Sequence, residues 1–209
     1  MSFSGFQPHD FDTFYIDGLD ERMQAIQKRI QPKFKEIGTF LAEELSMELG
    51  EEMYLHIAKH ARRTKNPPND TWLAIADNKR GYKKYPHFQV GLFDDHVFIW
   101  LAHIYEMPNK QQAAAALLDH IGDISSLPSA YVISLDHTKK DAFSVEDERK
   151  LREGLIRFRD VQKGEFLIGK HIKKDNPLLQ DGDAFLNEAK QTFETLLPFY
   201  RLSRVNEIS

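Results

Sequence analysis

The sequence predicts an α+β fold: an antiparallel β-meander of about four strands plus one or two later strands, with helices packed on the sheet. Three observations carry this. Apolar residues recur at helical spacing through the first 50 residues. The period drops to two between about residues 53 and 106. After Pro108, helical and strand-like stretches alternate. No internal repeat, low-complexity tract or long linker interrupts the 209 residues, so one α+β domain over 1–209 is the simplest organisation.

The elements follow in order. After a short arm, Met23, Ile26 and Ile30 fall at helical spacing, and Asp17 or Asp20 suits the cap. Asp10, Asp12, Asp17, Asp20 and Glu21 read together as a solvated, cap-rich helix start. Pro32 fits the first turn of a second helix, where its missing N–H costs nothing. Phe34, Ile37, Leu41 and Leu45 then share one face, and Gly50 ends the helix. Strands are expected over 53–60, 71–76, 87–93 and 96–105. In the third, Phe88, Val90 and Leu92 oppose His87, Gln89 and Gly91. The fourth is apolar on both faces and should be central and covered. Asp94-Asp95 marks a tight hairpin, and short links between consecutive strands favour a meander. Beyond Pro108 we expect a helix over 110–121, a strand over 130–135 and a helix over 144–158 with Ser144 and Asp147 as its capping box. A strand over 165–172 and a helix from 183 to about 204 complete the chain, with Pro198 kinking or ending that helix.

Composition narrows the function classes. Hydrophobic content of 41% and charged content of 29% fit an ordinary globular protein. With no cysteine, disulfides, thiolate metal sites and cysteine nucleophiles are excluded. The first five residues lack the basic start and apolar core of a secretory signal, and no purely apolar run, Val97 to Ala102 included, is long enough to span a bilayer. A cytoplasmic protein without membrane attachment is the expectation. A pI near 6.1 argues against bulk coating of nucleic acid.

The charge is unevenly placed. Between His56 and His87 stand Lys59, Arg62, Arg63, Lys65, Lys79, Arg80, Lys83 and Lys84, opposed only by Asp70 and Asp77. The segment is therefore +6, and since the chain is −4 the remainder sums to −10. Such a concentration attracts anions. The candidate ligand-binding residues are His56, His60, Arg62, Arg63, Arg80, Tyr82, Lys83, His87 and Gln89. Arginines offer forked bonds to phosphate or carboxylate. The histidines, Tyr82 and Gln89 supply directional hydrogen bonds. Pro67-Pro68 stiffens the first basic loop, and Gly81 frees the second to turn. His56 and His60 are four apart, which on a helix would chelate zinc. On the strand expected here they stand roughly 13 Å apart, and no metal site is read. In a meander the two basic loops leave opposite ends of the second strand and need not meet. Gly169-Lys170-His171-Ile172-Lys173-Lys174 is a second basic stretch at a strand end, either bordering the same cleft or serving as a soluble edge. Phosphate-cradling glycine motifs and nucleophile elbows do not occur, and no cofactor is implied.

Particular strings carry a likeness to a known family. They are Phe11-Asp12-Thr13-Phe14, Ile16-Asp17-Gly18-Leu19 with Arg22-Met23, and Ile30-Gln31-Pro32-Lys33. His56-Ile57-Ala58-Lys59-His60-Ala61-Arg62-Arg63, Asn66-Pro67-Pro68, Thr71-Trp72, Arg80-Gly81-Tyr82-Lys83 and Pro86-His87-Phe88-Gln89 continue them. Through these the chain resembles the YktB-like family of uncharacterised bacterial proteins, nearly end to end. The resemblance implies a single α+β domain and brings no activity, substrate or catalytic residue with it. The leading expectation from the residues is a binding module for a small phosphorylated or otherwise anionic ligand. The alternatives are a nucleic-acid-binding protein, whose aromatic and cationic side chains interleave, an enzyme using a histidine base, and a protein-interaction domain.

Overall fold

Alternation of side chains builds the sheet. A computed structural model describes residues 3–204, in which β1 (Tyr54–Ile57), β2 (Thr71–Ala76), β3 (His87–Leu92) and β4 (His96–His103) form the expected meander. β5 (Val132–Ser134), β6 (Phe143–Ser144) and β7 (Phe166–Lys173) extend it to seven antiparallel strands in the order β1-β2-β3-β4-β7-β5-β6. β7 is last in sequence yet lies between β4 and β5.

The two faces of this sheet differ. Leu73, Ile75, Phe88, Val90, Leu92, Val97, Ile99, Leu101 and Phe166 pack into the main core. The helices α3 (Gln31–Leu49), α4 (Lys110–Asp119), α6 (Glu148–Asp160) and α7 (Gly182–Ser203) contribute its other side. Phe88 sits against Phe193 at 4.7 Å and Tyr200 at 5.0 Å between ring centroids. Each fully buried side chain of this kind stabilises by about 1.5–3 kcal/mol. An exposed ion pair such as Arg149–Glu153 contributes about 0–1 kcal/mol. Apolar burial on the helix side therefore dominates.

The opposite face carries a smaller apolar cluster, with Phe98, Trp100, Ala102 and Leu167 buried and Trp72 and Val132 beside them. Here glycines take the place of side chains. Gly91 lies opposite Phe98 and Gly169 opposite Trp100. A Cβ on Gly91 would stand 2.3 Å from the Phe98 ring, and one on Gly169 3.0 Å from Trp100. Each aromatic ring thus covers a glycine of the neighbouring strand and supplies the apolar area the glycine lacks.

Several expectations are corrected. The short arm before the first long helix is packed into the core: Phe3 and Phe6 lie against Phe185, Phe11 lies against Phe6, and α1 (Pro8–Asp12) forms within it. Asp10 is not a solvated charge. It is fully buried and accepts a hydrogen bond from Lys33 at 2.6 Å, which ties the arm to α3. α2 (Leu19–Ala25) does not stop before Pro32. It runs through one π turn, Ile26–Ile30, directly into α3, and Pro32 occupies the first positions of that segment. Gly50 does end α3, in the left-handed region at φ 71 with its N–H on Ser46. The strand expected from 53 to 60 is only Tyr54–Ile57, because the chain turns at His60, whose φ is +50. The helix expected over 110–121 stops at Asp119, and α5 (Ile121–Ser125) follows after a break at His120. Ser144 is no cap, since it ends β6. Asp147 alone caps α6, accepting from the Lys150 N–H at 3.1 Å. Pro198 does not end α7, which continues to Ser203. Among the described residues, no helix is long and apolar enough to cross a membrane.

Burial also fixes the protonation of two histidines. His103 on β4 is fully buried between the Phe166 carbonyl, which accepts from Nδ1 at 3.1 Å, and the Ser203 hydroxyl at 2.6 Å. Loss of solvation pulls it down to about 4 and His87 to about 3. Unfolded histidines take up protons near 6.5, so the unfolded state binds more protons at mild acidity and stability falls with pH. Denaturant titrations should show about 3 kcal/mol of stability lost between pH 6.5 and pH 5 from these two groups. His103→Gln should remove about half of that slope.

Candidate functional site

The two basic loops meet. The first, 58–70, leaves β1 after Ala58, whose N–H donates to the Trp72 carbonyl at 2.9 Å. It then turns through His60, a residue type that tolerates positive φ better than most. Its far end is clamped by Arg22. That buried guanidinium donates from Nε to the Ile16 carbonyl and from one terminal nitrogen to the Pro68 carbonyl, both at 2.9 Å. Pro67-Pro68 is thus an anchored segment, which accounts for its stiffness. The second loop, 77–86, folds back along the open face of the sheet. Tyr82 reaches from it to Trp72, whose indole N–H donates to the Tyr82 hydroxyl at 3.0 Å. The Tyr82 ring lies 5.5 Å from His56 and 4.8 Å from His87. A length of β2 separates the two loop origins, and one tyrosine bridges it.

Two clefts flank this bridge. The larger, about 740 Å³, is lined by His56, Lys59, Asn78, Arg80, Gly81, Tyr82, Lys83, Lys84, Tyr85 and Glu106, with Leu55 and Ile57. The smaller, about 380 Å³, is lined by Lys59, His60, Arg62, Arg63, Asp70, Trp72, Tyr82, Lys83, His137 and Thr138, with Ala58 and Ala61. Lys59, Tyr82 and Lys83 border both.

The expected ligand residues divide accordingly. His56 and Arg80 line the larger cleft, and His56 donates to the Asn78 carbonyl at 2.9 Å. His60, Arg62 and Arg63 line the smaller. His87 and Gln89 line neither: they are buried, with the Gln89 amide donating to His87 Nε2 at 2.8 Å and His87 Nδ1 donating to the Tyr85 carbonyl. They hold the floor beneath Tyr82. Trp72 is half-buried on the open face. The Lys170–Lys174 stretch belongs elsewhere. The His171 ring lies tilted against His96, 4.1 Å between centroids, and borders a third depression with Lys140, Lys173 and Lys174.

The sequence singled out neither His137 nor Asp70 of the smaller cleft as a site residue, nor the buried Glu165 that holds His137. His137 follows β5, and its ring Nδ1 donates at 2.7 Å to Glu165, which also accepts the His137 backbone N–H at 2.9 Å. Glu165 is buried and, with its other oxygen, accepts from the Tyr105 N–H. Burial works against charge on His137, but the Glu165 carboxylate, helped by Asp70 and Asp136, outweighs it and raises its pKa. Asp70 is buried, and loss of solvation lifts its carboxyl to about 6 against the pull of His137 and Arg63. His60 moves the other way: burial, with Arg63 nearby, holds it down at about 4, and its Nε2 is hydrogen-bonded to the Thr71 hydroxyl at 3.1 Å. Ligand atoms of Asp136, His137 and Glu165 lie within 4.8 Å of one another, a spacing a metal ion can bridge. Hydrogen bonds already engage them: Asp136 accepts from Thr138, and Glu165 holds the His137 Nδ1 proton. The arrangement is that of a carboxylate orienting an imidazole.

The comparisons bear on the chain as a whole. A family model described as a domain of unknown function, DUF1054, matches residues 6–200. The chain belongs to the DUF1054 family. It is 64% identical over 200 residues to a UPF0637 protein of Oceanobacillus iheyensis, covering 96% of this chain and 97% of the relative. A UPF0637 protein of Shouchella clausii is 57% identical over 204 residues, covering 97% and 96%. One from Listeria monocytogenes is 49% identical over 203 residues, covering 97% and 99%. The YktB-like resemblance agrees with this membership.

In this DUF1054 chain the first basic loop hangs on Arg22. Replacing Arg22 by alanine removes two charge-assisted bonds and should cost about 2–4 kcal/mol in urea unfolding. Trypsin should then cut the folded protein faster at Arg62, Arg63 and Lys65. Unchanged cleavage would show that the loop holds without the clamp.

Proposed function

We propose that this protein binds a small phosphorylated or similarly anionic ligand in the smaller cleft. One observation carries the reading: the Trp72–Tyr82 hydrogen bond brings Lys83 of the second loop to the cleft that holds Lys59, Arg62 and Arg63 of the first. Against these four cations the cleft presents Asp70, and Glu106 pairs with Lys83 at 3.3 Å from outside it. Two guanidiniums on an anchored loop suit the forked geometry of a phosphate group. The aromatic wall of Trp72 and Tyr82 offers an apolar surface beside the charge, the usual composition of a small-molecule site.

Calorimetric titration at low salt with inorganic phosphate and phenyl phosphate tests this. Binding of at least one is expected, weakened about tenfold or more by Arg62→Ala or Arg63→Ala, the equivalent of about 1.5 kcal/mol for a charged hydrogen bond. Arg80→Ala, in the other cleft, should leave it nearly unchanged. The salt dependence should be shallow. A short single-stranded RNA that binds more tightly, with an affinity falling steeply with salt, would replace this reading with a nucleic-acid one. Failure of every phosphate compound to bind would remove it.

A further inference from the structure

The smaller cleft holds more than binding requires. An anion site needs cations and N–H donors. It gains nothing from a buried carboxyl facing the anion, nor from an imidazole whose orientation is fixed by a second, buried carboxylate. Both are present. Asp70 and His137 line the same cavity as Arg62 and Arg63. With Nδ1 committed to Glu165, the other ring nitrogen of His137, Nε2, is the one left to exchange protons with the cavity. The Trp72 ring packs edge-on at 6.1 Å from His137, and Thr138 extends the same wall.

We propose that the cleft hydrolyses phosphate monoesters, with Asp70 as general base and His137 as general acid. This rests on the cleft being a phosphate site. Lys59, Arg62, Arg63 and Lys83 hold the dianionic phosphoryl group. Asp70 takes a proton from a water molecule as its oxygen bonds to phosphorus. The bond from phosphorus to the ester oxygen breaks, and that oxygen receives the Nε2 proton of the His137 imidazolium. The products are an alcohol and inorganic phosphate, with one proton moved from His137 to Asp70. Exchange with solvent restores both groups, so no oxidant, reductant or further reactant is needed.

The environments of the two groups suit these roles rather than the reverse. Asp70 faces His137 and Arg63, and it gives up its proton near pH 6. His137 faces Glu165, Asp70 and Asp136, and it keeps its proton above the ordinary histidine range. Once Asp70 has lost its proton and before His137 loses its own, Asp70 is a carboxylate and His137 an imidazolium, the state in which one accepts and the other donates. His60 is held neutral there and adds no competing charge. Glu165 is a positioning residue, because it acts only through the His137 ring.

The full chain is assayed with phenyl phosphate and p-nitrophenyl phosphate, while inorganic phosphate binding is measured in parallel. Expected is a bell-shaped pH profile for phenyl phosphate, rising near pH 6 and falling above the ordinary histidine range. Asp70→Asn should lower kcat 10²–10⁴-fold with both esters. His137→Gln should cost as much with phenyl phosphate but far less with p-nitrophenyl phosphate, whose leaving group needs little protonation. A merely structural role would lower both equally. Glu165→Gln should shift the falling limb of the profile to lower pH. The wild-type pH profile tests the assignment even if a variant fails to fold. Phosphate binding without turnover of either ester would overturn the inference and leave the binding reading standing. No phosphate binding would overturn both. Turnover of phenyl phosphate that ignores His137→Gln would also overturn it.

Discussion

The sheet is apolar on both faces, and helices cover only one of them. β4 imposes this: Val97, Ile99 and Leu101 face the helices while Phe98, Trp100 and Ala102 face the other way, all buried. An apolar face left to water would cost stability and invite association. Loops therefore carry out on the open side what α3 and α7 do on the other. The 77–86 loop lays Tyr82 across β2, and the segment after β5 brings His137 beside Trp72. Because loops are polar, the covering is incomplete, and the space they leave is lined by charge. The cleft follows from a fold with too few helices for its sheet.

This origin explains the company the charges keep. Most of the cations stand at loop positions, exposed enough to remain solvated. The groups beneath them are taken out of water. His87 and Gln89 bond to each other and support Tyr82, while Glu165 is buried under His137. Exposed cations thus rest on a layer of buried hydrogen bonds. A fixed layer of this kind keeps a binding surface in one arrangement before a ligand arrives, so less freedom is lost on binding.

Much of the fold was legible because period two is a strong signal when it is regular. β2 spans the residues read for it, and β3 and β4 differ only at their ends. Legibility fails where partners are distant. The phenylalanines at 3, 6 and 11 have no period of their own; Phe3 and Phe6 find their place against the distant Phe185, and Phe11 against Phe6. β6 is two residues long, too short to alternate. The site divides in the same way. The local charge excess marked Arg62, Arg63 and Lys83, since charge density needs no fold to be counted. The pair His137 and Glu165 stands 28 residues apart and meets only because β5 lies beside β7. A lone histidine and a lone glutamate at two strand ends give no sequence signal of that meeting.

β7 occupies an interior position in the sheet although it is made after all the other strands. Until it docks, β1 to β4 and the β5–β6 hairpin have no edge in common. Asp70 belongs to the first piece, His137 to the second, and Glu165 immediately precedes the strand that joins them. Closing such a separation requires ordering a long stretch of chain before the pairing rewards it, and contacts of that kind form slowly. The cleft is accordingly among the last features of the molecule to exist. No stretch of chain ending before residue 166 can assemble it, however well the meander itself is formed.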